Sequence, residues 1–413
     1  MTNKIITACA SEIKKIGRFE PRFYYNQSLL KKTFDKFGYE EINDFATLKS
    51  GSTPKHYENK RNEEDCYFIE SANVKRYGLN FSTINFVSSE THKSRIEFKV
   101  IPNDILLSSA GTIGFACLVP HTLKESSTNQ NVIRIRLKDK SLTKFNPHFL
   151  VAFLNSQFGQ IEMKALLTND RYLNIKNFKQ YKIPKIDEKT IQIISLKIQK
   201  AEKNEMEASL LLEQAKNFFY RKIGIDFSKI AEEKSYSVNA ADFLKADLWS
   251  PKYLTSDLVN YEADQFPDFY VSEKIYDELN QDIKTNDVLF IKDGNNGMRS
   301  AMITKNDKII ISSHIVKLRL KIEAKKHNFT PEYLFLVLSL KEIGFYSSIR
   351  RTVIASTLPC LREDKLKEIE IPILDKNSIG EITELVKRAF ELKDEKKGLI
   401  KEVQKEIDDY FQI

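Results

Sequence analysis

Nine positions spaced by alternating steps of three and four run from Ile191 to Phe219, and the same spacing recurs 188 residues later. The first series is Ile191, Ile194, Ile198, Ala201, Glu205, Ala208, Leu212, Ala215 and Phe219. The second is Ile379, Ile382, Val386, Ala389, Lys393, Lys396, Ile400, Val403 and Ile407. A sustained 3.5-residue period calls for two long helices packed along a narrow seam. At ~1.5 Å per residue, a seam of about 29 residues extends roughly 43 Å. Glu205 stands at the centre of one series and Lys393 at the centre of the other. A polar pair in a seam costs stability while specifying register, so Glu205 and Lys393 are expected to face each other. Each helix leaves its own module, and antiparallel packing would set the modules at opposite ends of the pair. The alternative is two separate amphipathic helices, each lying on its own module.

The segments before the helices repeat as well. Asn103-Asp104-Ile105-Leu106, with Gly111-Thr112-Ile113-Gly114, returns 183 residues later as Asn286-Asp287-Val288-Leu289, with Gly294-Asn295-Asn296-Gly297. Arg136-Leu137 returns at the same offset as Arg319-Leu320, and Ile183-Pro184 returns as Ile371-Pro372. Each copy opens with an aromatic-proline phrase, Arg18 to Tyr24 and Leu248 to Tyr253. The expected organisation is a first module over 1–185, a helix over 186–222, a second module over 223–374 and a helix over 375–413. Two equivalent surfaces at a fixed separation suit a partner with two spaced sites, such as a DNA duplex.

Within each module, short apolar runs bounded by Gly, Asn and Asp predict strands joined by turns. Cys66 to Ile69, Ile105 to Leu107 and Val132 to Leu137 are examples, the last alternating apolar and basic residues as a half-buried strand would. Asn103-Asp104 and Asn286-Asp287 fit tight turns leading into buried strands. Pro147 and Pro331 each precede aliphatics at helical spacing and predict helix starts. The fold class is therefore α+β, with one irregular sheet per module and two long helices that pair as an antiparallel coiled coil.

Charge is uneven along the chain. Residues 1–185 hold 29 Lys and Arg against 18 Asp and Glu, whereas 223–374 hold 21 against 23. The excess positive charge of the first module favours a polyanion, although a Lys-rich soluble surface accounts for it equally well. Cys9, Cys66, Cys117 and Cys360 stand apart, with no C-x-x-C pair, which argues against zinc or disulfides and fits a reducing cytoplasm. The apolar stretch Ile5 to Ala10 is too short for a signal-peptide core, and no run reaches membrane-spanning length, so no membrane association is expected.

Enzyme motifs are missing. The sequence holds no phosphate loop ending in Lys-Ser/Thr, no G-x-S-x-G and no H-E-x-x-H. Asp293 to Gly297 lacks the lysine of a phosphate loop and reads as a turn. A Gly-rich cofactor loop paired with an Asn/Asp-Pro-Pro-aromatic tetrad is absent too; Asn146-Pro147-His148 reads as a helix start. The six histidines are scattered, and no catalytic or metal-binding set is expected.

Four phrases together resemble the DNA-specificity subunit of type I restriction-modification systems. They are Ser50-Gly51-Ser52-Thr53-Pro54, Asn103 to Gly114, Thr128-Asn129-Gln130-Asn131, and Ile183-Pro184 ahead of the heptad helix. The duplicated module-plus-helix layout extends the resemblance over essentially the whole chain. It implies two target-recognition domains, each reading one half of a bipartite DNA site, and an antiparallel helical spacer that sets the gap. It also implies a non-catalytic chain docking two methyltransferase (modification) subunits and a restriction/translocase subunit. S-adenosylmethionine, ATP and Mg2+ are then expected on those partners and no cofactor in this chain. The second module departs from the pattern: 29 residues separate Tyr253 from Ile283, against 76 between Tyr24 and Ile101, and no Gly-Ser-Thr-Pro phrase recurs.

Base edges and phosphates call for Arg, Lys, Asn, Gln and small hydroxyl residues on loops. Candidates in the first module are Lys49, Ser50, Ser52, Thr53, Lys55, His56, Lys75, Arg76, Tyr77, Lys93, Arg95, Asn129, Gln130, Asn131, Arg171 and Tyr172. Those in the second are Asn295, Asn296, Arg299, Ser313, His314, Arg350, Arg351 and Thr352. Each is weighed against an ordinary solvated or capping role, and the strand arginines Arg134 and Arg136 against a structural outer face. The competing reading for the whole chain is a coiled-coil adaptor whose modules bind protein.

Overall fold

The structure is a computed structural model. It describes residues 21–55, 65–81, 84–138, 144–167, 172–224, 272–291, 300–305, 308–340, 353–354, 360–361 and 371–411. The chain forms two compact units, Met1–Glu202 with Gly398–Ile413, and Lys203–Lys397.

The first unit opens with helix α1 (Pro21–Phe37) and strands β1 (Tyr39–Glu41) and β2 (Ala46–Ser50). Strands β3 (Cys66–Ile69), β4 (Val74–Lys75), β5 (Gly78–Leu79) and β6 (Asn85–Val87) lead to helix α2 (Ser89–Ser94). Strands β7 (Ile105–Ser108), β8 (Ala116–Leu118), β9 (Ser126–Thr128) and β10 (Val132–Leu137) follow. Helices α3 (Pro147–Asn155) and α4 (Gln157–Ala165), strand β11 (Lys182–Pro184) and the head of the long helix α5 (Glu188–Ile223) complete it.

Where one irregular sheet was expected, the described residues form several ladders. One is four-stranded, in the order β2-β10-β7-β8, and another is three-stranded, β6-β3-β9. The chain bends between β9 and β10, where the Val132 amide donates to the Asn129 carbonyl at 3.2 Å. That turn ends one ladder and starts the next. The half-buried character expected of Val132 to Leu137 is also corrected. β10 lies between β2 and β7 and is buried from Val132 to Ile135, Arg134 included. Arg134 is covered because its Nη1 donates to the Glu97 and Lys99 carbonyls, at 3.2 and 2.5 Å.

Helix α3 starts where Pro147 and its neighbour dictate. The Asn146 side chain accepts the Phe149 amide at 3.0 Å, and Pro147 occupies a first-turn position that needs no donor. Ser156 then caps α4 by accepting from the Gly159 amide at 3.1 Å. Asn155, 2% exposed, closes the outer edge of β8: it donates to the Ala116 carbonyl at 2.8 Å and accepts the Ala116 amide at 3.2 Å. Such pairing is what permits a buried amide between a helix and a sheet.

The second unit holds helix α6 (Glu273–Leu279), strands β12 (Val288–Ile291), β13 (Ser300–Met302) and β14 (Ile315–Leu318), and helix α7 (Pro331–Ser339). Strands β15 (Val353–Ile354) and β16 (Cys360–Leu361) pair with each other, and the long helix α8 (Lys376–Phe411) follows. Its main sheet runs β13-β12-β14, all antiparallel.

The sequence repeats are repeats of physical devices. Asp187 caps α5 by accepting the Thr190 amide at 2.9 Å, and Asp375 caps α8 by accepting the Ser378 amide at 3.0 Å. Ser195 on α5 bonds Asn146, the residue that caps α3, at 2.8 Å; Thr383 on α8 bonds Thr330, the residue that caps α7, at 2.7 Å. A module helix is thus tied to a long helix by the same kind of polar contact in each unit.

The seam positions are buried in both series apart from the central charged layer and Leu212. In the first unit Ile191, Ile194 and Ile198 share a core with Val403, Ile407 and Phe411. There Lys197 Nζ lies 3.0 Å from Glu402 and 2.6 Å from Glu406. In the second, Ala208 packs with Ala389 and Leu392, and Phe219 with Ile379, Ile382 and Val386.

Candidate nucleic-acid interface

In the first unit, three stretches distant in sequence meet along one edge. Gly51 follows β2 and approaches the turn after β9 so closely that a Cβ there would lie 2.0 Å from the Thr128 carbonyl oxygen. Only glycine permits that approach. The Ser52 amide then donates to the Thr128 carbonyl at 3.1 Å, and the Thr53 hydroxyl bonds the Gln130 side chain. From a third stretch, the Arg95 guanidinium donates to the Ser52 carbonyl.

The cations of this edge are arranged around one ring. Lys49 Nζ and the Arg95 guanidinium lie 5.2 and 5.3 Å from the Phe98 ring centre. Lys49 Nζ also meets Glu97 Oε2 at 2.7 Å. Burial lowers the Arg95 pKa, and Glu97 acts in the opposite sense. Ser88 caps α2 through the Thr91 amide at 3.2 Å, and Lys93 on that helix is exposed, as are Lys55 and Gln130. Ser50 ends β2 opposite Ile133.

Asn129 and Asn131 are placed differently from Gln130. Asn129 is 4% exposed; its Nδ2 lies 3.3 Å from Glu70 Oε1 and its Oδ1 accepts the Asn131 amide at 3.0 Å. Asn131 is half-buried, and its carbonyl accepts the Ser109 amide at 2.9 Å. The Ser109 carbonyl accepts the Leu173 amide at 2.9 Å, bringing exposed Tyr172 alongside the same turn.

Lys75, Arg76 and Tyr77 form a separate place, the β4–β5 turn beside β8. Lys75 pairs with Gly78, and Arg76 lies 4.8 Å from the Phe115 ring centre. Tyr77 takes φ 63°, donates its amide to the Ala116 carbonyl at 2.9 Å and packs against the core. Its hydroxyl is buried, and that burial raises its pKa well above the usual phenol range. The ring is therefore turned inward rather than out to a ligand.

In the second unit Ser313 and His314 are exposed just before β14. His56, Arg171, Asn295, Asn296, Arg299, Arg350, Arg351 and Thr352 lie outside the described residues, as do Gly294, Gly297 and the phrase Leu248 to Tyr253. At the centre of the seam, Glu205 Oε2 accepts from Lys396 Nζ at 2.8 Å, and Oε1 lies 3.6 Å from Lys393 Nζ. Burial opposes charge on Glu205, yet Lys396 and Lys393 together hold its pKa below the ordinary value.

Glu70, Glu97, Phe98 and the pair Asp104 with Arg136 escaped the sequence-level reading. The Asp-Arg pair was signalled by its repetition, since both Asp104 with Arg136 and Asp287 with Arg319 preserve one spacing. Glu70 was signalled by the capping box it forms with Asn73. Glu97 and Phe98 were missed because Lys49, which both meet, comes from the distant strand β2. Among the described residues no group of three His, Cys, Asp or Glu side chains is placed to hold a metal ion. None of the described helices is long and apolar enough to cross a membrane.

The chain repeats an α+β module, and the first copy carries a loop-built polar edge. The family model for the type I restriction modification DNA specificity domain matches residues 35–217 and again residues 241–405. The chain belongs to that family, and DNA-sequence recognition is its function class. No curated protein matches it. Among solved structures, the type I restriction-modification S subunit from M. genitalium is 14% identical, with 91% of this chain and 94% of that chain covered and a TM-score of 0.34. A chain from work on complex assembly and conformational transition of the type I R-M system is 12% identical, covering 89% and 97%, with a TM-score of 0.30. The type IIG restriction endonuclease BpuSI is 11% identical over 44% of this chain, with a TM-score of 0.35; the match spans 28% of that enzyme's length.

Proposed function

We propose that this chain is a non-catalytic specificity subunit that reads a bipartite duplex target, one half-site per module. The long helices α5 and α8 pair as an antiparallel coiled coil and act as the spacer between the two readers. The chain positions two methyltransferase subunits, docked on the helical spacer, and a restriction/translocase subunit; these partners carry S-adenosylmethionine, ATP and Mg2+, in the cytoplasm. The observation that carries this reading is the repeated tie between module and helix, Asn146 with Ser195 and Thr330 with Thr383. A rigid tie at each module transmits helix register to the spacing of what the modules touch.

On the first module, the proposed DNA contacts are Lys49, Ser50, Ser52, Thr53, Lys55, Lys93, Arg95, Gln130, Asn131 and Tyr172, which share one edge or adjoin it. On the second they include Ser313 and His314. Cations on this edge meet phosphates, and the amide and hydroxyl groups reach base edges.

Methylome sequencing of a host carrying the neighbouring methyltransferase gene, with and without this chain, tests the reading. The expected result is a methylated two-part motif present only when the chain is expressed. An active methyltransferase with no chain-dependent motif would overturn it in favour of a protein-binding adaptor.

A further inference from the structure

Lys49 and Arg134 are directly opposed across β2 and β10. Both reach the segment Glu97 to Lys99, but they hold different parts of it. Arg134 fixes the backbone, donating to the Glu97 and Lys99 carbonyls. Lys49 meets the Glu97 carboxylate, which is 59% exposed. Glu97 is thus an anion anchored from beneath and presented on an otherwise basic edge, beside Lys49 and Arg95.

An exposed lysine-glutamate pair adds little to stability. What it does change is which oxyanion the lysine holds. A carboxylate and a phosphate present the same acceptor to an ammonium group and compete for it. We propose that Glu97 occupies the place of a DNA phosphate on the first module, so that a duplex must exchange Glu97 for a phosphate at Lys49. This rests on the DNA-reading function above. The phosphate gives up a counterion on binding Lys49, while the displaced Glu97 takes one up. The Lys49 contact therefore adds little to sequence-independent affinity, and base contacts carry a larger share of the binding free energy. Glu97 is a positioning residue acting through Lys49.

The test measures binding of the full chain to a random-sequence duplex as a function of salt, because phosphate contacts do not depend on sequence. Glu97→Gln keeps the side-chain shape and is expected to leave the melting temperature unchanged. It should tighten binding roughly threefold to tenfold at low salt and steepen the logarithmic salt slope by about one, the equivalent of one added phosphate contact. Lys49→Ala should abolish the gain in the Glu97→Gln background. Wild-type affinity and slope in Glu97→Gln, or a gain that survives in full in the double variant, would overturn the exchange while leaving DNA reading intact. Absence of any salt-dependent duplex binding by the parent chain would overturn the DNA reading itself, and the exchange with it.

Discussion

Asp104 accepts two hydrogen bonds from the Arg136 guanidinium, from Nε at 2.6 Å and from Nη2 at 2.7 Å. The second unit repeats the fork: Arg319 donates to Asp287 from Nε at 2.6 Å and from Nη2 at 2.8 Å. Each carboxylate also caps its own turn, accepting the Ile101 or Lys284 amide at 2.8 Å. The preceding asparagines, Asn103 and Asn286, take φ 69° and 73°, the left-handed conformation asparagine tolerates better than most residues. Burial opposes charge on Asp287, and Arg319 reverses that, leaving the pKa below the ordinary value. The repeated phrase is thus a turn lock that delivers β7 and β12 into their sheets.

Replacing Asp104 with alanine strands the Arg136 charge and an orphaned amide, and should destabilise the chain by about 3 kcal/mol. Asp287→Ala should cost less, because Arg319 keeps Asp282, whose Oδ2 accepts from Nη1 at 2.9 Å. Urea unfolding of each variant gives the value; a change within the scatter of ordinary surface substitutions would refute the lock.

Gly51→Ala places a methyl group 2.0 Å from a backbone oxygen, which no side-chain rotation relieves. The 51–55 segment should lose its fit to Thr128, weakening duplex binding about tenfold or more, or roughly 1.4 kcal/mol or more. Fluorescence anisotropy with a labelled duplex measures the loss, and thermal unfolding separates it from global misfolding.

Glu205→Lys brings a third positive charge against Lys393 and Lys396 and should cost about 3 kcal/mol. Adding Lys393→Glu should restore part of this, with the repulsion from Lys396 still in place. Denaturation of the three chains checks the pair; a double variant no better than the single one argues against facing residues.

Burial pushes the Glu162 carboxyl up from 4.5 to about 7. The folded state therefore prefers the protonated acid, and this contribution is fully present below about pH 4.5 and lost as pH rises through about 7. Glu162→Gln keeps an acceptor for the Lys182 amide and should raise stability at pH 8 by up to about 3 kcal/mol, with no gain at pH 4. Urea midpoints across that range report the trend, and a gain independent of pH would contradict it.

Inserting one heptad into each long helix should widen the preferred half-site gap by ~10 Å, or about three base pairs. Methylome sequencing of the extended chain reads the gap directly. An unchanged motif would end the spacer proposal.

Periodicity, repetition and turn chemistry were legible in the sequence, since they are local or recur at a constant offset. The heptad positions, the Pro147 and Pro331 helix starts and the Asn-Asp turns needed only the residue types and their spacing. The sequence by itself also determined that the chain carries two like modules, each followed by a long helix.

The edge that gathers Lys49, Gly51, Thr53, Arg95, Phe98 and Gln130 was decided only by the tertiary structure. These residues lie up to 81 positions apart in the chain, and strand pairing brings them together. Arg134 shows the difference most clearly: its alternation with apolar neighbours implied an exposed face, whereas the crossing segment Glu97 to Lys99 covers it and accepts its hydrogen bonds. Tyr77 and Asn129 look like solvent-facing polar residues in sequence, yet packing turns both side chains inward. Local spacing states what a residue is able to contact; burial by distant segments selects what it does contact.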